Sequence, residues 1–233
     1  MITNYLKIRL AIEGDLRFLS HHDTMRAIER AASRAELPLH YSQGFNPRAV
    51  YSLICPRPVG VATLDDCLVL ALDGSIDTAD SLARLNRNCP DGMRFTQATV
   101  LEGAKTLHPK RVTYEMALSP SQVTSLTQRL DQLHSQDAWL VSRRAKPRRG
   151  RGKGPGQQPP ASRDVDIKPM LAKLEIVDND KLRFVCEAHN EAWARPGEAL
   201  ALLDMTGPEQ LAKLTRTRLE TDQAEQTKTA NHG

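Results

Sequence analysis

The 233-residue chain is 40% hydrophobic and 26% charged, a balance that allows a packed core and excludes a chain disordered throughout. Its formal net charge is +4, and no apolar run approaches the roughly 18 residues that a membrane-spanning helix needs. The four cysteines stand far apart, which predicts free thiols in a reducing compartment, and no apolar secretory leader is evident. We therefore expect a cytoplasmic protein without a membrane segment.

Hydrophobic periodicity in the first half of the chain predicts a strand, a helix, two strands, a helix and a strand. These elements fall at residues 5–12, 20–36, 50–55, 66–72, 75–88 and 93–101. Their order is that of a split βαβ, or ferredoxin-like, unit with an antiparallel sheet and two helices on one face.

The second half predicts a similar plan with an interruption. Its elements are a strand, a helix, a strand, a hairpin, a short helix and a strand, at residues 110–118, 119–133, 138–142, 165–188, 196–203 and 214–219. We expect an α+β protein of two tandem ferredoxin-like units, at residues 1–104 and 105–220. A Gly/Pro-rich basic insert at 145–162 predicts disorder, and a flexible tail is expected at 221–233.

Basic residues concentrate in one segment, and no acidic residue lies among them. They are Arg143, Arg144, Lys146, Arg148, Arg149, Arg151 and Lys153. A run of this kind suits non-specific contact with the phosphates of RNA, and such binding should weaken as salt rises. The alternative is a solvated, flexible insert with no ligand.

The sequence around Ser20 has the features of a helix N-terminus. The Ser20 hydroxyl can cap the first turn, and Asp23 follows three residues later, as in a capping box. His21, His22 and Asp23 could exchange protons or face a substrate. The side chains of the two histidines point about 100° apart on a helix, so they are poorly placed to coordinate one metal ion together. We therefore predict no metal site. The alternative is that these residues serve only to cap and pack the helix.

The segment after this helix is a polar turn that carries two aromatic residues. Its candidate binding residues are Tyr41, Ser42, Gln43, Gly44, Phe45, Asn46 and Arg48. Aromatic rings could stack on bases while the amides and the guanidinium donate hydrogen bonds. The loop is therefore a candidate contact surface for a partner or a nucleic acid. Alternatively, it is an ordered surface loop whose aromatic residues are tucked beneath it.

The stretch RFLSHHDTMRAIERAASRAELPLHYSQGFNPR at 17–48, continued by Pro58 to Val61, resembles the signature of the radical-SAM-linked proteins, a bacterial family of undetermined function. Weaker similarity follows at 163–169, 195–196 and 216–218. The resemblance implies an accessory to a radical-SAM enzyme, plausibly one that acts on RNA. Arg48 stands where the family usually has histidine. If the family needs that histidine, this chain is impaired or uses His21 or His22 instead.

A radical-SAM enzyme holds its iron–sulfur cluster with closely spaced cysteines, and no C-x-x-x-C-x-x-C motif occurs in this sequence. We therefore predict a non-catalytic accessory protein without a cofactor, which docks a radical-SAM protein and binds or presents RNA. The alternative is a stand-alone enzyme that acts on RNA or a nucleotide, with Asp23 and either His21 or His22 as acid and base. A third possibility is an interaction module with no role in RNA binding.

Overall fold

A computed structural model describes residues 3–101, 106–144 and 162–222. The chain divides into two compact units, the first formed by Met1–Ala117 with Gly207–Gly233 and the second by Leu118–Thr206. The helices and strands, in chain order, are β1 (Thr3–Ile12), α1 (His21–Arg34), β2 (Tyr51–Ile54), β3 (Ala62–Asp73), α2 (Thr78–Asn88), β4 (Met93–Leu101), β5 (Pro109–Ala117), α3 (Pro120–His134), β6 (Leu140–Arg144), β7 (Ser162–Asp166), β8 (Leu171–Val177), β9 (Lys181–Glu187), α4 (Pro196–Leu202), α5 (Pro208–Leu211) and β10 (Thr215–Thr221).

The first unit is built on a large, mostly antiparallel sheet in which its strands follow the order β4-β1-β3-β10-β5. Strand β3 is long enough to share one edge between two partners. Residues Cys67 to Leu70 of this strand pair antiparallel with β2, whereas Ala62 and Thr63 pair in parallel with β10. All six elements predicted for the first half of the chain are present, within a few residues of their expected bounds.

The core of the first unit lies between this sheet and the two helices. Alternate residues of β1 from Leu6 to Ile12 are fully buried, and they pack in one cluster with Ile28 of α1, Leu85 of α2 and Phe95 of β4. The period of two along the strand and the apolar stripe along each helix direct these side chains to one side. The result is a conventional α+β layer with helices covering one face of the sheet.

The second unit combines α3 with two β-hairpins. The cap of α3 is reciprocal, because the Ser119 hydroxyl accepts from the Gln122 N–H and the Gln122 side chain accepts from the Ser119 N–H. One hairpin pairs β6 with β7, and the other pairs β8 with β9. The second hairpin turns at Asp178 and Asn179, whose φ angles are 53° and 62°. Two consecutive positive φ angles are typical of a tight type I′ turn, which matches the turn predicted there.

Two sequence predictions differ from the structure. The single strand expected from 165 to 177 is interrupted by a 3₁₀ turn at Lys168–Met170, and its first part, β7, pairs with β6 instead. The side chain of Asp166 accepts hydrogen bonds from the Trp139 and Lys168 N–H groups, which stabilises this turn. The predicted unit boundary at 104/105 also differs, because β5 and β10 belong to the first unit.

The tandem ferredoxin-like plan is not confirmed as a whole, although the mixed α+β class is. Residues 145–161 of the predicted basic insert and 223–233 of the predicted tail lie outside the described residues, whereas Ser162 begins β7. Among the helices that the structure describes, none is long and apolar enough to cross a membrane.

Candidate functional site

The start of α1 is held by the cap that the sequence predicts. The Ser20 hydroxyl oxygen accepts a hydrogen bond from the Asp23 N–H at 3.2 Å and donates to the Asp23 carboxylate at 2.7 Å. The same carboxylate lies 3.5 Å from the Arg26 guanidinium. His21 and His22 are exposed, and their ring centroids lie 5.7 Å apart. Asp23 is thus engaged by its own helix, while the two imidazoles face solvent.

No group of three or more His, Cys, Asp or Glu side chains that could hold a metal ion occurs within residues 3–101, 106–144 and 162–222. The pair of histidines at the start of α1 therefore has no further ligand beside it in this part of the chain. Aspartate and histidine do share the first turn, as predicted, but the carboxylate is directed to Ser20 rather than to either imidazole.

The Tyr41–Arg48 loop is closed at its base by backbone hydrogen bonds. Tyr41 and Ala49 form an isolated β-bridge, and the Ser42 N–H donates to the Arg48 carbonyl at 2.8 Å. In return, the Arg48 N–H donates to the Ser42 hydroxyl at 3.1 Å. Below this pair, the Val50 N–H donates to the His40 carbonyl at 2.8 Å. The loop is therefore a short, hydrogen-bonded projection whose ends are fixed to the body of the first unit.

The tip of this loop is presented to solvent. Phe45 is 100% exposed and Tyr41 is 47% exposed, so Phe45 is not tucked beneath the loop. Gly44 has a φ of 146°, a conformation that favours glycine, and nothing lies within 4 Å of the position that a Cβ would take there. Gln43, Asn46 and Arg48 are also exposed. The structure thus places all the predicted binding residues of the loop on one projection.

Two sequence motifs that are 41 residues apart meet beside this helix start. The Arg57 guanidinium donates to the Leu16 carbonyl at 3.1 Å, and the Gly60 N–H donates to the Arg17 carbonyl at 2.9 Å. Gly60 has a φ of 93°, and a Cβ at this position would lie 3.8 Å from the ring of Phe18. The Arg17–Ser20 motif and the Pro58–Val61 motif therefore lie in direct contact.

The first unit also contains a buried ion pair that the sequence did not reveal. Arg216 of β10 and Asp66 of β3 are both fully buried, and Arg216 Nη1 lies 2.7 Å from Asp66 Oδ1. The same guanidinium donates to the Cys55 carbonyl at 2.7 Å and to the Tyr114 hydroxyl at 3.1 Å. In the sequence, Arg216 stands out only as part of the weak motif match at 216–218. The other signal available was Asp66 itself, a carboxylate at the head of an apolar strand.

The charges of this cluster influence one another. Burial lowers the pKa of Arg216. The neighbouring Asp66 carboxylate and Tyr114 raise it by a larger amount in total, so the net shift of the Arg216 pKa is upward. Burial also lowers the pKa of Arg57, an effect that Asp66 opposes and Arg216 reinforces. Burial raises the pKa of the Cys55 thiol. Arg216 therefore stays charged, and Cys55 stays protonated and is a poor nucleophile at neutral pH.

Of the predicted basic run, Arg143 and Arg144 are the two residues within the described part of the chain. The Arg143 guanidinium binds Glu198 through two hydrogen bonds of 2.8 and 2.7 Å and also donates to the Trp193 carbonyl at 2.8 Å. Arg143 thus joins β6 to α4 within the second unit. Arg144 is exposed at the end of β6. The remaining members, Lys146, Arg148, Arg149, Arg151 and Lys153, lie outside the described residues.

A family model described as "Uncharacterized protein conserved in bacteria (DUF2344)" matches residues 6–196 of the chain. A search of curated proteins found no match. Among solved structures, an unknown protein from Galdieria sulphuraria is similar, with a TM-score of 0.27 and 11% sequence identity over 94% of this chain and 98% of that one. A likeness at that level supports no conclusion about fold or function.

Proposed function

We propose that this chain, which belongs to a family of uncharacterized proteins conserved in bacteria, is a cytoplasmic, non-catalytic accessory protein that presents RNA to a radical-SAM enzyme. The observation that carries the proposal is the Tyr41–Arg48 loop. A fully exposed phenylalanine at the tip of a hydrogen-bonded projection offers an apolar contact to another molecule.

The geometry of the loop suits recognition by pre-organisation. Burying one phenylalanine side chain contributes about 1.5–3 kcal/mol to an association. The hydrogen bonds between Ser42 and Arg48 already close the loop, so little conformational entropy is lost when a partner binds. Phe45 and Tyr41 supply rings for stacking on unpaired bases, and Asn46 and Arg48 supply donors for base edges or phosphates. Single-stranded RNA fits this combination of groups.

The choice of a radical-SAM partner is supported by the signature at 17–48 and by the spacing of the cysteines. Cys55 and Cys67, which are closest in sequence, are separated by eleven residues, whereas three converging thiolates hold a radical-SAM cluster. In this proposal the chemistry belongs to the partner, and the present chain supplies a docking surface. The partner and the RNA would meet at the loop.

The ferredoxin-like assignment belongs to the same proposal. It is supported for the first unit by the order β4-β1-β3 with β2 beside β3, and by the position of α1 and α2 between strands of this set. This order follows from two split βαβ halves. A tandem second unit stays a prediction.

The test is capture of partners from the native cell, with both protein and nucleic acid identified. Phe45→Ala combined with Asn46→Ala should weaken capture of an iron–sulfur protein and of RNA at least about tenfold. Leu140→Ala is the matched control, because Leu140 is also apolar and 62% exposed but lies in β6 of the second unit. Its capture should equal that of the unaltered chain.

Two results would contradict the proposal. One is undiminished capture by the loop variant. The other is turnover of RNA by the purified chain alone, abolished by Asp23→Asn, which would establish the enzyme alternative with Asp23 as its acid or base. The cap that binds Asp23 to Ser20 gives this residue a structural role already and favours the accessory function.

A further inference from the structure

A histidine and an aspartate form a hydrogen-bonded pair at the base of the Tyr41–Arg48 loop. His40 Nδ1 lies 2.8 Å from Asp73 Oδ1, and the two side chains are 30% and 27% exposed. The Thr3 hydroxyl donates to the same carboxylate oxygen at 3.3 Å. A carboxylate accepts hydrogen bonds and cannot donate them, so the proton of the neutral imidazole lies on Nδ1. Asp73 thus fixes which ring nitrogen of His40 carries the proton.

The backbone on both sides of this pair is fixed by hydrogen bonds. The His40 N–H donates to the Ala71 carbonyl of β3 at 2.9 Å. Two residues along β3, the Asp73 N–H donates to the Pro38 carbonyl at 2.8 Å. The His40 carbonyl accepts from the Val50 N–H at 2.8 Å, on the returning side of the loop. The imidazole is therefore held in place before any ligand arrives, which lowers the entropic cost of binding.

The second ring nitrogen of His40 is available to a ligand. Nε2 has no hydrogen-bond partner among the residues that the structure describes, and the side chain is partly open to solvent. Because Nδ1 carries the proton, Nε2 of the neutral ring is an acceptor. This atom selects a ligand group that donates a hydrogen bond. The phosphate oxygens of a nucleic acid only accept and do not match it.

Arg48 shares a face of the loop base with His40. The bridge between Tyr41 and Ala49 places His40 and Arg48 diagonally across the two sides of the loop, on the face opposite to Tyr41. The Cα atoms of such diagonal neighbours lie about 7–8 Å apart. Arg48 is exposed and can donate to a phosphate. One face of the loop thus presents a hydrogen-bond acceptor and a cationic donor side by side.

We propose that His40, oriented by Asp73, selects RNA over DNA by accepting a hydrogen bond from a ribose 2′-hydroxyl. This hydroxyl is the group that distinguishes the RNA backbone from the DNA backbone, and it can donate. Arg48 binds the phosphate next to that ribose, because hydroxyl and phosphate are neighbours in the nucleotide as the two side chains are in the loop. The inference rests on the RNA contact proposed above for the loop, and it names the chemical feature of the ligand that the loop reads.

The test measures fluorescence anisotropy of three labelled single strands of one sequence, all with uracil, mixed with the purified full chain. The strands are RNA, DNA and 2′-fluoro RNA, which keeps the sugar pucker of RNA but has no hydroxyl to donate. Donors on the bases are the same in all three strands, so the comparison isolates the hydroxyl. We expect RNA to bind about threefold to tenfold more tightly than the other two, the gain from a single hydrogen bond.

His40→Phe should remove this preference, because phenylalanine keeps a flat ring without an acceptor nitrogen. Its affinity for RNA should fall to its affinity for 2′-fluoro RNA, while its affinity for 2′-fluoro RNA matches that of the unaltered chain. His189→Phe is the matched control, since His189 is exposed and lies in the second unit, outside the loop. This control should keep the full preference. A full preference in folded His40→Phe would contradict the inference.

Asp73→Asn tests whether Asp73 acts through the histidine ring. Asparagine can donate to Nδ1, so the proton of His40 should move in part to Nε2, and the preference for RNA should decrease with it. Nitrogen-15 NMR of the His40 ring at pH 8 reports the position of the proton in both proteins. A merely structural role for Asp73 would leave the proton on Nδ1. A proton on Nε2 in the unaltered chain would overturn the inference without the use of any variant.

The outcomes for the unaltered chain separate this inference from the proposed function. Equal binding of RNA, DNA and 2′-fluoro RNA would overturn the role of His40 and leave RNA binding by the loop intact. Failure of the chain to bind RNA would overturn the proposed function, and the inference with it.

Discussion

Arg216 donates hydrogen bonds to three partners, which come from separate segments of the first unit. Its guanidinium binds Asp66 of β3, the Cys55 carbonyl after β2 and the Tyr114 hydroxyl of β5. Cys55 adopts a φ of 52°, an uncommon conformation for a residue with a Cβ, and its carbonyl is thereby held by the guanidinium. A buried ion pair of this kind specifies the arrangement of the strands, because removal of either residue leaves the other charge buried without a partner.

Replacing Arg216 by methionine should therefore lower the free energy of unfolding by about 3–5 kcal/mol, since Asp66 loses its charge partner in the core. Arg218→Met tests the same chemical change on the same strand at an exposed pair, where Arg218 lies 3.2 Å from Glu220. That control should change stability by no more than about 1 kcal/mol. Urea denaturation of both variants measures the difference. Equal losses in the two would refute a special role for the buried pair.

At the scale of elements, α1 is tied to β2 by a hydrogen bond between side chains. The Tyr51 hydroxyl donates to the Glu29 carboxylate at 2.8 Å. Burial, the hydrogen bond to Glu29 and the negative charge of Glu29 together raise the pKa of Tyr51 to about 12, and burial makes the largest contribution. The neutral phenol is thus favoured in the native state compared with the unfolded chain. This bond and the Ser20 cap stabilise α1 at two points.

The Tyr51 bond predicts a change of stability at high pH. A folded pKa above the unfolded value means that the native state holds the proton more tightly, so the bond contributes fully below pH 10 and its contribution is lost as pH rises towards 12. Tyr51→Phe removes this contribution. The difference in unfolding free energy between the two proteins should therefore shrink over that range. A difference that stays constant or grows with pH would contradict the assignment.

At the scale of the whole molecule, β10 joins the two ends of the described sequence in one unit. Besides its parallel pairing with β3, the Leu219 carbonyl accepts from Arg9 at 2.6 Å and the Leu219 N–H donates to Asp65 at 2.8 Å. Arg9 and Asp65 lie 3.3 Å apart. A C-terminal strand thus completes the polar network of an N-terminal sheet. The first unit is consequently discontinuous in sequence.

A chain that ends at residue 206 should fail to fold its first unit, because it lacks Arg216 for Asp66 and exposes the surface that buried Leu214 and Leu219 cover. The probes are the tyrosines, which all lie in the first unit, at positions 5, 41, 51 and 114. Their near-ultraviolet circular dichroism should be lost. A chain that ends at residue 222 keeps β10 and is the control. A native tyrosine spectrum in the shorter chain would contradict this account.

The amino-acid sequence by itself determined the elements of the first unit, the cap at Ser20, and the polar turn at 41–48, since helix periodicity, capping and turn chemistry act between residues a few positions apart. It did not determine the interruption at 168–170, where the pairing of β7 with β6 and the hydrogen bond from Trp139 to Asp166 override the strand pattern. Only the tertiary structure decided the place of β10, the exposure of Phe45 and the pairing of Arg216 with Asp66. Those two charges are separated by 150 positions, and no local pattern records which strand will lie beside β3.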